Sequence, residues 1–244
     1  ALLEFHAAKR SKATMTLTRV PRPLEFGIVI TKKDGQIERF LEKPMWGEVF
    51  SDTINTGIYV LEPEIIAQIP PETKVDFSRD LFPKILKQGT PFYGYIAQGY
   101  WKDIGNIKEY MAATFDCLDA KIVLDPPIPI QCPITVPTST RLEGHVVIAP
   151  GCKVGEHCTI VNSILGPNCV LEDNSMLSNS ILWADVQLGQ GSVVKEAIIG
   201  RGVKCGFKVL IDPGCVIGDG CQLGNNVLVK PEIKIWPNKR IEDE

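Results

Sequence analysis

Glu42 and Lys43 stand side by side in the segment Phe40-Leu41-Glu42-Lys43-Pro44, where a run of strand-forming residues meets a proline. A strand that stops at proline fixes the direction of its last side chains. A carboxylate placed there can accept hydrogen bonds from sugar hydroxyls, and the ammonium beside it can neutralise a phosphate. The plainer alternative is a solvated surface pair. Asn55-Thr56-Gly57 sets an amide beside a glycine at a strand start, which fits either a β-bulge or close backbone approach to a ligand, and Gly27 carries the same two readings. Gly99-Tyr100-Trp101-Lys102-Asp103-Ile104-Gly105 puts Asp103 after two large aromatics, between glycine-bounded turns. Such an aspartate forms turns, or holds a divalent cation through hard oxygen.

The elements that must position these residues are those of a mixed α/β segment. Residues 1–10 look like the end of a helix. Residues 13–20, 26–31, 36–42, 55–61 and 92–97 are rich in β-formers and are expected as strands. Asp34-Gly35 between the second and third is a hairpin turn signal. Residues 63–69 form a short helix opened by Pro63. Residues 78–88 form another, with Ser78 as N-cap and Gly89 as stop. Residues 107–119 are an amphipathic helix. Pro126, Pro127, Pro129, Pro133 and Pro137 then prevent a continuing helix or a central strand, so residues 123–143 are expected as a linker.

Beyond residue 144 the pattern changes. Ile148, Val154, Ile160, Leu165, Leu171, Leu177, Leu182, Leu188, Val194, Ile199, Cys205, Ile211, Ile217, Leu223, Val229 and Ile235 follow one another in steps of 6, 6 and 5, three times over, and then in steps of 6. A six-residue period suits neither an α-helix nor a hairpin meander. It suits a solenoid with three short faces per coil, each sending one apolar side chain to a common axis. Gly155, Gly166, Gly189, Gly200, Gly218 and Gly224 follow frame residues, where permissive backbone at a corner is expected. Cys152, Cys158, Cys169, Cys215 and Cys221 all lie four residues after a frame position, in a slot shared with Ser and Val. They are expected to be reduced and buried as small hydrophobes, with Cys152 and Cys169 stacked one coil apart. His145 and His157 could serve as the general base of a hexapeptide-repeat acyltransferase. A water-facing corner is the favoured place for His157. The open strand edges of a solenoid invite a partner or a cap.

The chain has 244 residues and a net charge of −3, with 44% apolar and 23% charged residues. That is an ordinary globular composition, and it excludes disorder and coiled coil. It also provides no global basic field for nucleic acid or an anionic membrane. No apolar run approaches the ~20 residues of a bilayer span, and the opening residues lack the apolar core of a signal peptide, so the cytoplasm is the expected compartment.

Phe40-x-Glu42-Lys43-Pro44, Asn55-Thr56-Gly57, Asp76-Phe77-Ser78-x-Asp80-Leu81-Phe82-Pro83, Gly99-Tyr100-Trp101-x-Asp103-Ile104-Gly105 and the hexapeptides occur in this order in the sugar-nucleotide pyrophosphorylases, and the chain resembles that family over nearly its whole length. The resemblance implies part of a Rossmann-like α/β nucleotidyltransferase domain over residues 1–122, then an all-β left-handed parallel β-helix of hexapeptide repeats over residues 144–244. It implies that a sugar 1-phosphate attacks the α-phosphorus of a nucleoside triphosphate, with mannose 1-phosphate and GTP as the expected pair. ADP-glucose or UDP-sugar synthesis, or a non-catalytic scaffolding subunit, stand as alternatives. By motif, Lys43 should bind the sugar phosphate, and Glu42, Asn55 and Gly57 the sugar, with Gly27 leaving backbone room. Asp103 should be one of two Mg²⁺-binding aspartates. The family's glycine-rich triphosphate loop and its Gly-Asp metal segment have no counterpart here. The chain is therefore expected to lack the nucleotide-binding N-terminal segment and to be inactive by itself. Assembly into a homo-oligomer through the β-helix is expected.

Overall fold

The computed structural model describes residues 1–122 and 136–243. These fall into two compact units, residues 1–103 and residues 104–244. The division comes earlier than the boundary expected at residue 122. The helix of residues 107–118 is grouped with the repeats. Most of the expected linker, residues 123–135, lies outside the described residues.

The first unit is a five-stranded mixed sheet. Its strands are β1 (Ala13–Arg19), β2 (Gly27–Thr31), β3 (Ile37–Glu42), β4 (Thr53–Leu61) and β5 (Phe92–Ile96), in the order β3-β2-β4-β1-β5. Only β1 and β5 run parallel; β2 and β3 form the hairpin that Asp34-Gly35 signalled, with Gly35 at φ +91°. Period-two alternation sends Met15, Leu17 and Val29 to one face, where they pack with Phe82, Ile85 and Phe92. Phe82 and Ile85 come from the helix of residues 82–87, and the other face carries helix α1 (Leu2–Ala8). There the buried His6 bonds Thr14 Oγ1 at 2.8 Å and Glu62 Oε1 at 3.2 Å. Helix α2 (Pro63–Ile66) is a single turn opened by Pro63.

The helix expected from Ser78 starts differently. Asp76 is the cap, accepting from the N–H groups of Ser78 and Arg79 at 2.8 and 3.0 Å. A π-helical turn, Phe77–Leu81, then leads into α3 (Phe82–Lys87). Pro83 accounts for part of this. It has no N–H to give a carbonyl one turn back, so regular α-geometry begins only at the first turn that proline tolerates.

In the second unit, helix α4 (Ile107–Leu118) is capped by Asn106, whose Oδ1 accepts from Glu109 N–H at 2.9 Å. The repeats form three six-stranded parallel sheets wound as a solenoid, each coil adding one short strand to each sheet. The first strand, Arg141–Glu143, already pairs with Thr159–Val161, so the solenoid begins three residues before the expected 144. Fourteen of the sixteen frame residues are buried in one continuous core, and Val154 and Ile235 are half-buried against it. Frame residues of successive coils stand opposite one another, as Leu165 does to Leu182 and Leu171 to Leu188.

Small residues stand at the three five-residue steps. Ser163, Ser180 and Ala197 turn inward at these corners, each fully buried. Each hydroxyl donates to the carbonyl two residues back, Val161 or Ser178, at 2.7 Å, and accepts from the next coil's N–H at 3.1 Å. The two hydroxyls satisfy one acceptor and one donor each, and Ala197 keeps the third corner equally small. The six glycines after frame residues correct the expectation made for them. None takes left-handed backbone, which belongs instead to Gly144, Gly151 and a set of asparagines such as Asn162 and Asn168. Their role is steric: a Cβ at Gly166 would stand 2.8 Å from the backbone of Trp183 and Ala184 in the next coil.

The cysteine slot is buried, and the cysteines named for it are free thiols. Their sulfurs donate to carbonyls of the following coil, Cys152 to Gly166 O at 3.1 Å and Cys169 to Trp183 O at 3.0 Å. Ser192 does the same to Gly206 O at 3.1 Å. Cys and Ser therefore exchange in this slot because each is small and brings one donor.

Candidate functional site

Three of the singled-out residues fall on one row across the first sheet. Gly27 at the start of β2 pairs with Glu42 at the end of β3. The antiparallel register that sets Ile28 opposite Ile54 brings Gly27 alongside Asn55. Side chains on one row of a sheet share a face, so Glu42 and Asn55 flank a position with no side chain. A Cβ on Gly27 would lie 2.6 Å from Glu42 Oε2 and 2.8 Å from the Phe40 ring. The room that this glycine leaves is thus occupied by the Glu42 carboxylate, which leans over the strand.

The Asn55-Thr56-Gly57 segment is a bulge. Met15 of β1 faces Tyr59 and Leu17 faces Asn55, so residues 56–58 of β4 stand against Thr16 alone. Thr56 Oγ1 donates to Thr16 O at 2.8 Å, which anchors the bulge. Gly57 has φ +81°, and its N–H donates to Asn55 Oδ1 at 2.9 Å. Such backbone favours glycine. Open space lies over Gly57, where an added Cβ would meet nothing within 4 Å. The bulge also shortens the path from Asn55 to Tyr59, and Asn55 Nδ2 donates to the Tyr59 hydroxyl at 2.8 Å.

Lys43 lies just past the row. Its φ is +44°, and its N–H donates to Phe26 O at 3.1 Å. Left-handed backbone at the strand end turns this residue out of line with Glu42, and its side chain is exposed while Pro44 is buried. Among the described residues no carboxylate forms an ion pair with Lys43. An unpaired ammonium at the edge of a polar row can bind an anion.

Asp103 is not in the row. It is exposed, in a stretch without regular secondary structure that begins at Gly99, φ +110°. What ties that stretch to the sheet is Trp101, whose ring stands edge-on to Phe26 at 5.6 Å. Among the described residues, no group of three or more His, Cys, Asp or Glu side chains could hold a metal ion. Asp103 fits Mg²⁺ only as a single hard-oxygen ligand, in a shell that water and substrate phosphates would complete.

Tyr59 was missed in the sequence. Residues four apart in a regular strand lie ~13 Å apart, and only the bulge lets this ring meet Asn55. The ring packs against Phe82 at 4.9 Å and Phe77 at 6.0 Å. Burial holds the phenol above its usual range, and the nearby Glu42 and Asp76 carboxylates push the same way against the Asn55 and Ser78 hydrogen bonds. Asp76, Ser78, Glu42 and Asn55 therefore surround one neutral hydroxyl. In the second unit, His157 occupies a left-handed corner, φ +56°, and His145 Nδ1 contacts Asp119 Oδ1 at 3.0 Å.

Both parts of the chain match known families. Residues 1–120 match the family model described as Nucleotidyl transferase, and residues 130–243 match the one described as EIF2B subunit epsilon LbH domain. A UTP–glucose-1-phosphate uridylyltransferase of Synechocystis is 32% identical over 67% of this chain and 50% of its own length. A mannose-1-phosphate guanyltransferase of Schizosaccharomyces pombe is 31% identical over 64% of this chain and 41% of its own. A glucose-1-phosphate adenylyltransferase of Acetivibrio thermocellus is 27% identical over 99% of this chain and 65% of its own. The chain thus spans about half the length of the curated relatives it matches. The fold and the two family models define a nucleotidyltransferase segment followed by a left-handed β-helix of hexapeptide repeats. The chain belongs to the sugar-nucleotide pyrophosphorylase family. Among the described residues no helix is long and apolar enough to cross a membrane.

Proposed function

We propose that the protein carrying this chain joins a sugar 1-phosphate to a nucleoside triphosphate, and that this chain supplies the sugar-phosphate side of the site. The observation that carries the reading is the row Glu42–Gly27–Asn55 with the unpaired Lys43 at its end. In the reaction, a phosphate oxygen of the sugar 1-phosphate forms a bond to the α-phosphorus. The bond from the α-phosphorus to the bridging oxygen breaks, and pyrophosphate leaves with the electron pair. Such chemistry is mostly positioning and charge neutralisation.

Lys43 neutralises the sugar phosphate. Glu42 accepts from sugar hydroxyls. Asn55 has already given one N–H to Tyr59 and one lone pair to Gly57, and keeps one of each for the sugar. The open backbone at Gly57 lets the ring approach. Bound Mg²⁺ would neutralise charge on the phosphates, and Asp103 would be one of its ligands. Mannose 1-phosphate with GTP is the expected pair, in keeping with the guanyltransferases among the relatives. A turnover panel of nucleoside triphosphates against sugar 1-phosphates on the full protein tests it; no product from that pair, with product from another, moves the assignment within the family.

A second reading follows from the β-helix match, since that family model is named for a protein subunit. A scaffolding subunit that keeps the fold would not depend on Asp103 for turnover in its assembly. Asp103→Ala is expected to abolish Mg²⁺-dependent turnover, and an unchanged rate favours scaffolding. Assembly into homo-oligomers through the β-helix is part of the proposal, and sedimentation of the full protein measures it.

A further inference from the structure

The Asn55 amide is held at both ends before any ligand arrives. Its oxygen accepts from the Gly57 N–H at 2.9 Å, and its nitrogen donates a hydrogen bond to the Tyr59 hydroxyl at 2.8 Å. An amide with one such contact can still rotate; with two it has one orientation, and its free N–H and free lone pair are assigned directions. The Gly57 contact comes from the bulge and persists as long as β4 does. The Tyr59 contact depends on a single oxygen, carried by a ring wedged against Phe82 and Phe77.

We infer that Tyr59 is a positioning residue for sugar recognition: its hydroxyl sets the orientation in which Asn55 meets two neighbouring sugar hydroxyls opposite Glu42. The inference rests on the sugar-phosphate reading of the site. Glu42 accepts only, whereas Asn55 donates and accepts, so the pair discriminates among the hydroxyl arrangements of hexose 1-phosphates only while the amide cannot flip. Tyr59 touches no reacting atom, and its effect passes through Asn55.

Tyr59→Phe removes the oxygen and keeps the ring. Titration calorimetry of mannose 1-phosphate and glucose 1-phosphate on the full protein should show preferred-sugar binding weakened about fivefold to tenfold, the net worth of one such hydrogen bond. Preference between the two sugars should shrink with it, while KM for the sugar rises more than kcat falls. In an Asn55→Ala background, Tyr59→Phe should then change nothing further, because the group it positions is gone. Equal binding by wild type and Tyr59→Phe, or an equal loss in both backgrounds, overturns the inference. Absence of sugar 1-phosphate binding by the wild type is a different result, which overturns the sugar-phosphate reading and this inference with it. Melting curves of each variant establish that the fold is retained.

Discussion

Trp101 stands edge-on to Phe26, with ring centroids 5.6 Å apart and planes at 70°. The carbonyl of Phe26 also accepts the Lys43 N–H at 3.1 Å. One residue just before β2 therefore ties the strand end that carries Lys43 to the segment that carries Asp103. Trp101→Ala removes the edge contact and should cost about 2 kcal/mol, read from urea unfolding. It should also weaken Mg²⁺ dependence with Asp103 intact. Unchanged Mg²⁺ titration would mean that the segment is placed by something other than this ring pair.

Gly27→Ala places a methyl 2.6 Å from Glu42 Oε2 and 2.8 Å from the Phe40 ring. The carboxylate is the flexible partner and must swing away; the ring is packed against Phe82 and resists. The expected cost is about 1–3 kcal/mol in stability. Sugar 1-phosphate affinity should fall along with it, whereas a role confined to strand packing would leave affinity in the surviving folded fraction unchanged.

Lys43 should show stability and binding moving in opposite directions. Its backbone lies at φ +44°, a region that costs a non-glycine residue about 1 kcal/mol. Lys43→Gly relieves that cost and removes the ammonium. Unfolding free energy should rise by up to about 1 kcal/mol, while affinity for sugar 1-phosphate falls at least tenfold through loss of a charge-assisted contact. A variant that is both stabilised and fully competent to bind would show that the strained lysine serves no phosphate.

Cys205 makes the solenoid sensitive to alkali. It is a frame residue, and burial pushes its thiol up from an ordinary value of 9.0 to about 12. Between those values the folded chain keeps a proton that the unfolded chain releases, so stability is complete below about pH 9 and declines as pH rises toward 12. Cys158 and Cys215 shift in the same direction. Cys205→Val supplies the residue type found elsewhere in the frame and should flatten the fall in melting temperature between pH 9 and 11. A slope identical to that of the wild type would assign the effect to other groups.

The repeat was legible from residue types alone, because a solenoid core repeats at short range and each coil meets only its neighbours. Ile148 through Ile235 marked the axis, and nearly all of them are buried. The glycines after those residues were found for the wrong reason. Gly166 looked like a flexible corner, yet its need is room against a backbone 17 residues further on, which no local pattern displays. The cap of the helix near residue 80 was misplaced by two residues, since Ser78 and Asp76 are both good caps and only the hydrogen bonds distinguish them. Lys43, Glu42, Asn55 and Gly27 were each found by type and spacing, but as separate points on the chain.

Composition and period by themselves determined that one half is mixed α/β and the other a three-faced solenoid, because those properties arise from burial repeated every two or every six residues. Which polar groups meet was decided by the tertiary structure. Gly27 lies beside Asn55 only through the register of β2 on β4, and Tyr59 reaches Asn55 only across a bulge. Register and bulges depend on partners distant in sequence, so the row of Glu42, Gly27 and Asn55 exists only once the sheet has formed.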